Sequence, residues 1–182
     1  IRLELKEGDK EHIELFQSFL ETDAEITSDY RKRGSANKRT KSYRIGITNN
    51  RIGSKLIEYG IIPNKTYDFK DIHNDLRNNI HFWRGLIDGD GTIQDRKHNN
   101  KWKTRRIVIG LVGPDILMEY FRKFVSGHIE TKVTIIKRGT ISQITFEGQK
   151  ALRIIDILYG NTEYGLRRKV EKAHYILETY NK

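Results

Sequence analysis

One order of elements (strand, helix, strand, strand, helix) runs twice through this 182-residue chain, and that repetition limits its fold more than any other feature. In the first copy, Arg2 to Lys6 alternates, with Leu3 and Leu5 facing one way and Arg2, Glu4 and Lys6 the other, which reads as a half-buried strand. Gly8-Asp9 then opens a helix whose inner side is Ile13, Phe16, Phe19 and Leu20. Strands follow at about Ala24–Arg33 and Thr40–Thr48, and a helix from Asn50 to Tyr59 stops at Gly60. In the second copy a strand at Arg105–Leu111 leads to a helix started by Pro114, with Ile116, Leu117, Tyr120, Phe121 and Phe124 inward. A hairpin of Lys132–Lys137 and Thr140–Phe146 and a helix Gln149–Tyr159 complete it. The strand-to-helix junctions Gly8 and Gly113 lie 105 residues apart, and the helix ends Gly60 and Gly160 lie 100 apart.

Three segments fall outside the matched elements. Residues 61–77, with Pro63 and several Asn and Asp, read as a linker between a first repeat at 1–60 and a second at 78–182. The second repeat gains a helix at about Asn79 to Asp88 and a strand near Thr92–Lys97 before its common part, and a closing helix Glu163–Tyr180. The expected class is therefore α+β, with two pseudo-symmetric repeats each built on an antiparallel sheet. The first repeat is expected to lack the leading helix and strand of the second. The chain starts at Ile1 and its only methionine is Met118, so an upstream segment is expected.

Charge narrows the partner. Lys and Arg number 34 against 24 Asp and Glu, a formal net charge of +10, which favours a polyanion because neutralised phosphates release counterions. The basic residues are clustered: seven of the fourteen residues from Arg31 to Arg44, and six of the eleven from Arg96 to Arg106. Each cluster sits at strand ends and a turn, at matching places in the repeat. Those expected to contact DNA are Arg31, Lys32, Arg33, Lys38, Arg39, Lys41 and Arg44 in the first copy, and Arg96, Lys101, Lys103 and Arg105, with His98, in the second. Alternation then assigns faces. Ile26, Tyr30, Tyr43 and Ile45 are expected inward and Thr27, Arg31 and Arg44 outward. In the second copy Ile144 and Phe146 are inward, while Gln94, Arg96, Arg105, Gln143 and Thr145 face a ligand, with Lys132 nearby. Arg, Gln and Thr can hydrogen-bond base edges in a major groove that admits a β-ribbon.

No cysteine is present, so disulfides and thiolate metal sites are excluded, and the six histidines take no metal-ligand spacing. No apolar run approaches the ~18 residues of a membrane span, and no secretory signal opens the chain. A cytoplasmic or organellar protein is expected rather than a secreted or membrane one.

Phe82 to Ile93 reads FWRGLIDGDGTI. Gly85 and Gly89 stand four apart on one helical face, where missing side chains let another helix approach closely. Leu86, Ile87 and Phe82 flank that face. Gly91 stops the helix and leaves Asp90 at its C-terminal end, among carbonyls that carry partial negative charge. A carboxylate there is poorly placed for stability but well placed for a hard divalent cation. Taken alone, D-G-D-G also reads as a turn between helix and strand. The small-residue face before it and the basic strand after it favour the site.

Within this segment WRGLIDGDG resembles the signature nonapeptide of the LAGLIDADG homing endonucleases. Six of nine positions match (Gly85, Leu86, Ile87, Asp88, Asp90, Gly91), Gly89 is another small residue in place of alanine, and Trp83 and Arg84 depart from the pattern. The resemblance implies a saddle of two antiparallel sheets over DNA, with two such helices packed at a central interface through Gly85, Leu86 and Gly89. It implies that Asp90 is the catalytic metal ligand, with the Gly89 carbonyl beside it. Asp88 would serve as a helix-end hydrogen-bonding residue. Magnesium, with manganese as substitute, would activate a water and stabilise the leaving 3′ oxygen of an in-line phosphodiester cleavage. The resemblance also implies a basic residue near each scissile phosphate. GIIPNKTYDF points to Lys65 and LRRKVEKA to Lys169, with Arg168 as competitor.

The implied function is site-specific cleavage of double-stranded DNA at long asymmetric sites. The second acidic helix would come from the upstream segment or from another chain. Two other readings are a non-catalytic DNA-binding regulator of the same fold and an intron maturase that binds RNA. No terminal Cys, Ser or His-Asn pair frames the chain as an intein.

Overall fold

The computed structural model describes residues 1–32, 39–62, 69–97 and 105–180. The chain packs as two compact units, one of Ile1–Lys55 with Leu166–Arg168, the other of Leu56–Gly165 with Lys169–Lys182. Among the described residues no helix is long and apolar enough to cross a membrane.

In the first unit β1 (Arg2–Lys6), a 3-10 turn (Glu7–Asp9) and α1 (Lys10–Phe19) precede β2 (Ile26–Lys32) and β3 (Arg39–Gly46). The sheet is antiparallel with order β1-β3-β2. Register puts Leu3, Ile45 and Ile26 in one row and Glu4, Arg44 and Thr27 in the next, so adjacent rows belong to opposite faces. Ile13 of α1 and Ile45 are fully buried. Asp9, buried at the start of α1, accepts from Arg168 through both carboxylate oxygens at 3.2 Å. Tyr30 departs from its expected inward position and is 62% exposed. It lies toward the far end of edge strand β2, opposite Lys41, where no further strand flanks it among the described residues. α2 (Asn50–Glu58) ends the first repeat, and Gly60 beyond it takes φ +80, the left-handed conformation that glycine reaches at least cost.

The second unit contains α3 (Asn74–Arg77), α4 (Ile80–Asp90), β4 (Thr92–Lys97), β5 (Arg105–Gly113), α5 (Asp115–Ser126), β6 (Ile136–Arg138), β7 (Ile141–Glu147), α6 (Gln149–Tyr159) and α7 (Arg167–Tyr180). Its antiparallel sheet has the order β4-β5-β7-β6. Without β4 this is the order of the first sheet, strand for strand, which is the structural form of the sequence repeat. One core joins α4, α5, α6 and α7 to the inner face of the sheet through Trp83, Ile87, Ile109, Phe121, Ile144 and Ile155, among others. Each such side chain contributes roughly 1.5–3 kcal/mol by leaving water.

Several boundaries differ from the sequence reading. In α5 Met118 and Val125 are buried and Ile116 is 39% exposed, because the buried arc follows Leu117, Phe121 and Phe124 and leaves Ile116 on its flank. The strand expected at Lys132–Lys137 shortens to Ile136–Arg138, the edge of the sheet. The last helix begins at Arg167 rather than Glu163, since Gly165 takes φ +150 just before it. The described part of the expected linker 61–77 carries α3 and buries Ile72 in the core. Arg77 holds it by a bidentate pair to Asp71 at 2.8 Å and lies over the Tyr120 ring, whose hydroxyl also donates to Asp71.

Candidate active site and nucleic-acid interface

The helix that carries the motif, α4, is fixed at both ends. The Asn79 side chain accepts from the Phe82 amide and caps its start. At its end the Gly91 amide donates to the Ile87 carbonyl, and a Cβ built on Gly91 would lie 2.6 Å from the Ile87 Cα, so only glycine fits. The two departures from the signature are core residues. Trp83 is fully buried against Phe121 and Phe124 and donates its indole N–H to the Arg77 carbonyl. Arg84 is buried too; it donates to the Leu158 carbonyl at 3.0 Å and meets His81 Nδ1. Asp88, one turn on, is buried and accepts from the Tyr159 hydroxyl at 2.7 Å.

The opposite side of α4 is bare. Gly85, Gly89 and Asp90 are exposed, and a Cβ built on either glycine would meet nothing within 4 Å among the described residues. Leu86 is half-buried, packed against the core at the edge of this face. Asp90 thus sits at the C-terminal end of the helix on its open side, with the Gly89 carbonyl next to it in the chain.

Lys169 comes from the first turn of α7 and is 6% exposed. Its ammonium donates to the carbonyls of Ile87, Asp88 and Gly91, the latter two at 2.8 Å. The resemblance implied a lysine aimed at a phosphate, whereas here the donors point into the end of α4. Its competitor Arg168 is committed to Asp9. Lys65 lies outside the described residues, as do Arg33, Lys38, His98, Lys101 and Lys103.

The sheet faces were also read from alternation. In the first unit the row expected to face a ligand is polar: Arg44 Nε donates to Thr27 Oγ1 at 3.0 Å, and Glu4 accepts from Arg2 and Ser42. Arg31 and Lys32 belong to β2, paired with Thr40 and Arg39, and Arg39 is exposed. Lys41, expected among the DNA-binding residues, belongs to the other face of β3. It is in step with Tyr43, not Arg44, and its ammonium lies 5.0 Å from the Tyr43 ring, on the side where Lys10 of α1 also approaches that ring. A hydrogen bond to the Tyr43 side chain raises the Lys41 pKa above the ordinary lysine value.

In the second unit Gln94 accepts from Arg96, Gln143 donates to Thr145 at 3.1 Å, and Arg138 donates to Gln143 at 2.9 Å. Arg105 was assigned to this row, but the register puts it in step with Ile107 and Ile109 of the core. Arg106 is the residue opposite Arg96. Counting back by twos from the apolar series Leu111, Ile109, Ile107 identifies Arg106 as the outward residue, and that signal was available in the sequence. Lys132 is exposed but precedes the sheet. Arg138, on the same face of the sheet as Gln143, adds a basic residue that alternation in the sequence did not assign.

No protein-family model matches the chain, and no curated protein matches it. Solved structures do. The meganuclease I-SmaMI, bound to an uncleavable DNA, is 13% identical, covers 100% of this chain and 80% of its own, and superposes with a TM-score of 0.62. The LAGLIDADG homing endonuclease I-LtrWI, bound to target DNA, is 12% identical over 99% of this chain and 78% of its own, with a TM-score of 0.61. Full-length DUF199/WhiA from Thermatoga maritima is 11% identical over 100% of this chain and 53% of its own, with a TM-score of 0.53. Two antiparallel sheets with one strand order, the glycine-faced helix and these superpositions agree: the chain has the LAGLIDADG-type α+β fold.

Proposed function

We propose that this chain is a site-specific double-stranded DNA endonuclease that works with a divalent metal ion, magnesium by preference. The observation that carries the reading is Asp90: an exposed carboxylate at the C-terminal end of α4, bordered by the open Gly85–Gly89 face. A buried acid would read as structure. An exposed one among helix-end carbonyls is placed to meet a cation.

The donor set suits a hard cation, since Asp90 and the Gly89 carbonyl both offer oxygen. Among the described residues no group of three or more His, Cys, Asp or Glu is placed to hold a metal. Asp90 and the Gly89 carbonyl would hold the ion from this side, and a second acidic helix would hold it from the other. The bare glycine face is where that helix packs, delivered by an upstream segment or a second chain. When bound, the metal supplies Lewis acidity that lowers the pKa of a water and stabilises the leaving 3′ oxygen.

The chain's own residues do the rest. Gly85 and Gly89 bring the two helices close enough for their acids to share a phosphate. Thr27 and Arg44 in one sheet, and Gln94, Arg96, Arg106, Gln143 and Thr145 in the other, hold the duplex and read base edges. Residues 1–60 and 78–182 each take one half-site.

The test is selection of bound duplexes from a randomised library, followed by cleavage of the selected duplex with magnesium. Double-strand cutting at one position supports the reading. Tight duplex binding without cutting, in the presence of the partner helix, would assign the chain to a non-catalytic DNA-binding role. Preference for a structured RNA over every duplex would assign it to RNA.

A further inference from the structure

An α-helix leaves its last four carbonyls without intrahelical donors. In α4, whose cap residue Gly91 donates to the Ile87 carbonyl, these belong to Asp88, Gly89, Asp90 and Gly91. Lys169 donates to two of these, the carbonyls of Asp88 and Gly91, and also to that of Ile87 one residue before them. An ammonium has three N–H donors, and here three carbonyls receive them. Burial of that charge is offset by the three oxygens and by the negative end of the helix dipole.

The three carbonyls straddle Gly89 and Asp90 and omit the Gly89 oxygen. Residue 88 is gripped twice, through its carbonyl by Lys169 and through its carboxylate by Tyr159. We propose that Lys169 is a positioning residue that locks the last turn of α4 and so fixes where the Asp90 carboxylate and the Gly89 carbonyl stand. A lysine that served the scissile phosphate directly would be exposed, with donors turned outward, and Lys169 is neither.

This inference rests on the reading of Asp90 as a metal ligand, and the sign of one measurement separates the two roles. Near a metal site an ammonium acting only through its charge repels the cation, so its removal tightens metal binding or leaves it alone. An ammonium that positions the ligands weakens metal binding when it is removed, although a repelling charge has gone.

The experiment compares the parent chain, with its partner helix, against Lys169→Met and Asp90→Asn. The readouts are Mn2+ affinity and amide hydrogen exchange along α4. For Lys169→Met we expect exchange at Gly89–Gly91 to rise about tenfold or more against the start of the helix, as removal of charged hydrogen bonds implies, and Mn2+ to bind several-fold more weakly. Asp90→Asn should lose Mn2+ without faster exchange.

Unchanged exchange at the helix end, or Mn2+ bound as tightly or more tightly in Lys169→Met, overturns the proposal. Should Lys169→Met fail to fold, the parent decides the matter. Ammonium protons of Lys169 that NMR resolves in slow exchange with water support the cap, and rapidly exchanging ones overturn it. A parent that binds no Mn2+ removes the metal reading of Asp90 and with it the positioning role. The exchange data then report separately on the cap.

Discussion

Arg96 of β4 is paired directly with Arg106 of β5, so two arginines stand opposite each other across an antiparallel ladder, on the outer face of the sheet. Like charges directly opposite one another destabilise a sheet. Each arginine is eased by one neighbour, Gln94 accepting from Arg96 and Glu147 from Arg106. An arrangement that costs stability in the isolated protein becomes favourable when a polyanion covers it.

The first prediction follows. Arg96→Gln should leave folding stability unchanged or raise it by roughly 0.2–1 kcal/mol at low salt. It should also weaken duplex binding and reduce the slope of log affinity against log salt by about 0.9 for each phosphate that is no longer neutralised. Lys41→Gln should change that slope less, because Lys41 lies against Tyr43 on the other face. Thermal melts and salt titrations of DNA affinity check both. Equal reductions in slope at the two positions would refute the face assignment.

A second prediction contrasts two glycines of one helix. A Cβ on Gly85 meets nothing within 4 Å, whereas one on Gly91 lies 2.6 Å from the Ile87 Cα and 2.8 Å from the Ile87 carbonyl oxygen. Gly85→Ala should therefore stabilise the chain alone by about 0.5–1 kcal/mol, the ordinary gain of alanine over glycine inside a helix. Gly91→Ala should destabilise it by more than that, since backbone must move. Gly85→Leu should leave the single chain folded but block association with a second motif helix, as read by sedimentation. If Gly85→Leu still associates, the glycine face is not the docking face.

The contrast between these glycines also shows what the sequence made legible. Gly91 announced the end of α4, and Gln149–Tyr159 and Thr92–Lys97 have the limits that their periodicities implied. The equivalence of the two sheets was visible as a repeat of element order. Burial at the margins was not. Tyr30 is exposed because it is near the end of an edge strand, and Ile116 because the buried arc of α5 turns away from it, and both depend on what packs alongside. The end of α4 was the least legible part. Nothing in LRRKVEKA says that Arg168 turns to Asp9 while Lys169 enters the carbonyls of another helix, since both are set by neighbours dozens of residues away in the chain.

A third prediction concerns acid. Asp71 is held below the ordinary carboxylate pKa, first by the Tyr120 hydroxyl, then by the Ile72 amide and Arg77. A carboxylate depressed on folding contributes stability above its unfolded pKa and loses it as pH falls through the lower folded value. The Asp71→Asn variant should thus be less stable than the parent near neutral pH. The gap should close as pH drops below the ordinary carboxylate range. Because the Asp71 side chain is half exposed the effect is small, and urea unfolding at pH 7 and at pH 3 measures it. A gap that widens on acidification would contradict the assigned cause.

The last prediction tests the site itself. Asp90→Asn exchanges an exposed carboxylate for an amide of nearly equal size, at a position where the α4 backbone is held by the Gly91 turn and by Lys169. Folding should change little, because the amide keeps the size and polarity of the exposed side chain. DNA binding should persist, since the arginine and glutamine rows are untouched. Double-strand cutting by the chain with its partner helix should disappear, because a neutral amide is a poor ligand for magnesium. Abolished cutting with unchanged melting and unchanged duplex affinity is the expected pattern. These 182 residues contribute one such acid, so cutting of both strands should also require the second acidic helix. Full cleavage by a verified single copy, or by the Asp90→Asn variant, would place the catalytic metal elsewhere and remove Asp90 from the chemistry.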